Sequence, residues 1–68
     1  NLMATEKEKK DYIKRKVAEE LRRERESIRS IGEKAWHEVQ KIIDKIARSL
    51  RIAQDLVLEA LRELGANI

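Results

Sequence analysis

A chain of 68 residues has room for one small domain and no second core. Charged residues make up 43% and hydrophobic residues 41%, with no Pro, Cys or Phe and only two Gly, so the inventory is one of helix formers. The lack of cysteine excludes a disulfide framework, cysteine-ligated zinc and thiol chemistry, and the longest apolar run, Leu56-Val57-Leu58, is far below the roughly 18 residues of a membrane-spanning helix. The expectation is a soluble, cytoplasmic, all-α protein without a signal segment.

Asn1-Leu2 stand before Met3, so residues 1–4 are set aside as a disordered or cloning-derived leader, and residues 5–68 are taken as a single helical domain. From Thr5 to Ser30 nothing breaks a helix. Thr5 is a suitable N-cap, with Glu6 and Glu8 in the positively polarised first turn. Opposite charges four apart, such as Glu6 and Lys10, Asp11 and Arg15, or Glu19 and Arg23, support the helix by a few tenths of a kcal/mol per pair, roughly. Its apolar stripe is thin: Ile13, Val17, Leu21, Ile28 and Ile31, with Glu24 where a hydrophobe belongs.

Ser30-Ile31-Gly32-Glu33 is the first punctuation. Gly32 can take positive φ, and Ser30 with Glu33 has capping-box spacing, which places a turn at 31–33. Beyond it, Trp36, Val39, Ile43, Ile46, Leu50, Ala53, Val57, Ala60 and Leu64 alternate by threes and fours, the mark of a helical packing seam and the candidate core and interface. Ile42 and Leu56 widen it on one flank and Ala47 and Leu61 on the other, while Gly65 supplies a stop.

Two courses are open for this second half. A single helix over about 33–64 makes a helical hairpin and is narrowly preferred, because residues 49–54 contain neither Gly nor Pro; it leaves Ile52 and Leu58 facing outward. A break at 51–53 makes a three-helix bundle and buries Ile52. Eighteen of the 28 hydrophobic residues lie in the second half of the chain, more seam than the first helix covers. A domain of this size buries only about 60% of its unfolded surface. A homo-oligomer is therefore expected, with a dimer forming a four-helix-type bundle favoured.

The stretch Ile46-Ala47-Arg48-Ser49-Leu50-Arg51-Ile52-Ala53-Gln54-Asp55-Leu56-Val57 resembles a helix-turn-helix, with Ala47 as the small residue of the first helix, Ile52 in the turn and Val57 in the recognition helix. Extended through Leu58, Leu61, Leu64 and Gly65, it is also similar to the N-terminal domain of bacterial translation initiation factor two. Arg51 stands where both families usually carry the turn glycine, and Ala53 replaces the usual Ser or Thr cap. The composition as a whole resembles computationally designed, de novo helical bundles.

Local chemistry is sparse. His37 has Glu33 four residues before it, two ligands where a transition metal needs three or four, and no nucleophile with a base nearby. No Gly-rich phosphate loop occurs. No catalytic, cofactor or metal residue is assigned, and no enzyme activity, cofactor, small-molecule substrate or membrane partner is expected. Two readings of function follow. The first is a structural, self-associating helical bundle. The second is a small helix-turn-helix-like module binding nucleic acid or ribosome, with Arg48, Arg51, Gln54 and Arg62 as contacts and the basic first helix, where Lys7, Lys9, Lys10, Lys14, Arg15 and Lys16 cluster around Tyr12, as an electrostatic arm.

Overall fold

Thr5 begins the first helix as its sequence requires, its Oγ1 accepting the Glu8 amide at 3.1 Å. The computed structural model describes residues 5–68 and is all-helical there: α1 (Glu6–Arg23), α2 (Ile28–Glu33), α3 (Trp36–Leu50) and α4 (Gln54–Glu63). The expectation for residues 1–4 lies outside the described residues. No helix among the described residues is long and apolar enough to cross a membrane.

Three helices end in the same way. At α1 the Glu26 amide donates to the Leu21 carbonyl at 2.9 Å and the Arg25 amide to the Arg22 carbonyl at 3.1 Å, with Arg25 left-handed at φ 57°. At α3 the Ile52 amide donates to the Ala47 carbonyl at 3.0 Å around a left-handed Arg51, φ 58°. At α4 the Ala66 amide reaches the Leu61 carbonyl at 2.9 Å around Gly65, φ 108°. Each is a Schellman-type closure, in which one left-handed residue lets the following amide satisfy a carbonyl of the last turn. Only the third uses glycine.

These closures correct the expected boundaries. The helix expected over 5–30 stops at Arg23, and Ser27 starts a new one. Ser27 Oγ accepts the Ser30 amide and Ser30 Oγ accepts the Ser27 amide, both at 3.0 Å, so the capping box begins at Ser27 and not at Ser30. Glu24, which interrupted the apolar stripe, is the residue at which α1 ends. Gly32 is helical within α2, and the turn expected at 31–33 falls at Lys34 and Ala35, both extended. Gly32 serves a close approach instead: a Cβ there would lie 3.3 Å from the Asn67 backbone nitrogen, where the C-terminal tail crosses α2. The continuous helix over 33–64 is overturned as well, because the chain breaks at 51–53.

The break decides the packing. α4 folds back mainly against α1 and then α3, and the core is Val17 and Leu21 of α1, Ile31 of α2, Val39, Ile43, Ile46 and Ala47 of α3, Val57, Ala60 and Leu61 of α4, and Ala66 of the tail. Ile52 and Leu58, which a continuous helix would turn to solvent, are half-buried against it, as are Leu50 and Leu64. Two seam positions leave the core. Trp36 is 49% exposed, because Ile31 of α2 is fully buried and α3 begins only at Trp36; its buried face starts at Val39. Ala53 is exposed because it is the N-cap of α4. Leu61, assigned to a flank, is fully buried, since the break resets the phase of α4.

Ile46→Ala removes a side chain buried in the centre of α3 and is expected to destabilise by about 2–5 kcal/mol in urea unfolding, whereas exposed His37→Ala should change stability by less than about 0.5 kcal/mol. Ile52→Lys is expected to cost about 2 kcal/mol or more, because it forces an ammonium into the closure of the break. A neutral effect would mean that the helix runs on through Ile52.

Candidate nucleic-acid interface

The break gathers three of the four residues assigned to the nucleic-acid reading. Ala47 and Val57 are buried on either side of the turn, and Ile52 packs between the ends of their helices, which sets Arg51 outward on the left-handed residue. Arg48 lies one turn before the break and Gln54 opens α4. Both reach Asp44: the Arg48 guanidinium approaches a carboxylate oxygen at 3.2 Å, and Gln54 Nε2 donates to the other at 2.9 Å. Asp44 thus links α3 to α4 across the turn. Arg62 does not join them. It lies eight residues along α4 from Gln54, about 12 Å away, and its Nε donates to the Ile68 carbonyl at 3.0 Å.

α4 begins without side-chain help, because Ala53 cannot cap its first amides. The open N-terminus carries the positive end of the helix dipole, next to Arg51 and Arg48. The exposed surface of α4 is acidic, with Asp55 in its first turn and Glu59 and Glu63 beyond, against Arg62 alone. At the turn Arg48 is paired with Asp44, so Arg51, which forms no ion pair among the described residues, is the cation free to meet an anion there.

The basic first helix is tied down more than an arm would be. Lys9 pairs with Glu6 at 3.9 Å, Lys14 with Asp11 at 3.6 Å, Lys16 with Glu19 at 3.6 Å and Arg23 with Glu20 at 3.4 Å, while Lys10 crosses to Glu59 of α4 at 3.4 Å. Lys45 of α3 holds Glu24 at 2.6 Å. Such exposed pairs are worth about 0–1 kcal/mol each, and only Lys10 with Glu59 and Glu24 with Lys45 join α1 to its neighbours, the others lying within α1 itself. Arg15, Arg25 and Arg51 form no ion pair among the described residues.

Glu33 and His37, read as neighbours on one helix, fall on different ones: Glu33 ends α2, 3.9 Å from Arg29, and His37 is exposed on α3. Among the described residues, no three His, Asp or Glu side chains converge as metal ligands. Asp44 belongs with Arg48 and Gln54 although spacing alone does not single it out: it stands four residues before Arg48 on α3, and its bond to Gln54 exists only because the chain turns at Arg51. Comparison with protein-family models, with curated proteins and with solved structures finds no match for the chain.

Asp44→Ala removes an exposed link and is expected to lower stability by no more than about 1 kcal/mol. Urea midpoints of this variant and the parent test it. A loss as large as that from Ile46→Ala would make Asp44 the main tie across the break.

Proposed function

We propose that the chain is a non-enzymatic nucleic-acid-binding module that meets phosphates end-on with its helix-turn-helix corner, through Arg48, Arg51 and Gln54. The observation that carries this reading is an arginine at a position where the fold alone favours glycine. A left-handed conformation costs a non-glycine residue about 1–2 kcal/mol, and Gly65 fills the equivalent place at the end of α4. At Arg51 the strained residue instead projects a guanidinium without an ion-pair partner beside the first turn of α4, whose amides no side chain caps; Asp55 in that turn offsets part of the positive charge, so the combination suits contact with a single phosphate group. Arg25 shares the conformation, but the helix after it is capped by Ser27, so no open amides adjoin it.

The acidic outer surface of α4 disfavours laying that helix along a groove of duplex DNA, so contact falls on the turn and involves few phosphates. Affinity is correspondingly modest and salt-dependent.

The ground for expecting a dimer was an uncovered seam. α1, α2 and α4 cover that seam within one chain, and the large hydrophobics left exposed are Tyr12, Trp36 and Leu56. We therefore infer that the chain acts as a monomer. Light scattering across the micromolar range should return a mass near 8.0 kDa; a stable dimer would restore the self-association reading.

Fluorescence anisotropy with random-sequence DNA and RNA at two salt concentrations tests the binding. Arg51→Gly is expected to act in opposite directions on stability and affinity. It should raise stability by about 0.5–1 kcal/mol, the left-handed strain relieved less the entropy of an added glycine, and reduce the slope of log affinity against log salt by about 1. No binding at low salt, or binding untouched by Arg51→Gly, would contradict the proposal.

A further inference from the structure

Building on the nucleic-acid reading, we infer that the preferred ligand is a single strand, with one base stacked on Tyr12 in the groove between α1 and the α3–α4 turn. Tyr12, Lys16 and Arg23 line one wall of this groove, and Ser49, Leu50 and Ile52 line the other, the last two flanking Arg51 in the chain. Tyr12 is 53% exposed, the most open large hydrophobic side chain among the described residues. Its ring already has two cations near it, the Arg15 guanidinium and the Lys16 ammonium, each 5.6 Å from the centroid.

Both cations lie over the ring and not at its edge, so a stacking base displaces the mobile end of at least one of them, which is then free to meet a flanking phosphate; an aromatic ring among cations is how sequence-tolerant single-strand binders hold a strand. Arg15 has no carboxylate partner among the described residues and can engage a phosphate without first breaking a pair. Lys16 and Arg23 are shared with Glu19 and Glu20, which also line the groove and hold down its net charge, so stacking has to contribute a large part of the affinity. A duplex keeps its bases stacked on one another and offers Tyr12 no free face. A single strand leaves a base free to enter the groove at Tyr12.

The test titrates the full chain with a labelled oligothymidylate, an oligouridylate and a random-sequence duplex of equal length, for the parent, Tyr12→Leu, Tyr12→Phe and Arg51→Gly. Tyr12 is exposed, so its variants should fold, and circular dichroism checks this. The expected result is tighter binding of the single strands than of the duplex. Tyr12→Leu should lose about tenfold on the single strands and little on the duplex, and Tyr12→Phe should retain most of the parent affinity. In a Trp36→Phe background, tyrosine emission should be quenched on adding oligothymidylate. Equal binding of strand and duplex with no effect of Tyr12→Leu, while Arg51→Gly still weakens both, would overturn the stacking site and leave the nucleic-acid reading standing. Failure of every polyanion to bind would overturn both.

Discussion

The fold hangs on one backbone hydrogen bond and the side chain beside it. When the Ile52 amide turns back to the Ala47 carbonyl, 3.0 Å away, α3 stops and the Ile52 side chain swings from solvent onto the core. The next ten residues can then lie against α1 instead of extending away from it. Without that bond Val57, Ala60 and Leu61 would continue a long seam that α1, with Ile13, Val17 and Leu21, could not cover. With it, a chain of 68 residues closes a core of eleven buried residues drawn from all four helices and the tail. The left-handed Arg51 is the local cost of that closure, smaller than the loss of even one well-buried aliphatic side chain.

The same bend organises the charges. α1 carries eight Lys and Arg against five Asp and Glu, whereas α4 carries one Arg against three acids. Folding α4 onto α1 sets the acidic helix against the basic one, with Lys10 and Glu59 in contact, and so consumes part of the positive surface that a freely projecting first helix would display. What stays open is Arg51 at the turn and Arg15 beside Tyr12, neither of which forms an ion pair among the described residues. Core closure and the outward placement of Arg51 are two results of one left-handed residue.

Much of the fold was legible in the residues. Composition alone gave the helical class. The three-and-four spacing picked out Val39, Ile43, Ile46, Val57 and Ala60, all of which are buried. The difficulty lay in the ends of helices. Closure around a left-handed residue is read from glycine, and two of the three closures use arginine, so neither Arg25 nor Arg51 announced itself. Gly32, the glycine that did stand out, is kept small for contact with Asn67 rather than for a turn. Ser27 does not stand out as a cap for a similar reason, since its capping partner is Ser30 and not the usual Glu or Gln. Trp36 fits the period of the seam, but period does not tell where a helix begins, and Ile31 of α2 holds the core at that end. Propensity gives no reason to stop at 51–53, and the break there, with Ile52 packed on the core, is the second of the two courses open to the sequence. The link of Asp44 to Gln54 could not have been found from spacing, since it joins two helices whose relative placement the turn decides.

Nuclear magnetic resonance of the uniformly labelled chain shows whether α3 stops at Arg51. The helical pattern of chemical shifts and of short-range contacts between residues three and four apart should be interrupted at 51–53, Arg51 should have the shifts and couplings of a left-handed residue, and the Ile52 side chain should show contacts to Ala47 and Val57. An unbroken series of helical contacts from Trp36 through Glu63, with the Ile52 side chain free of long-range contacts, would contradict the break.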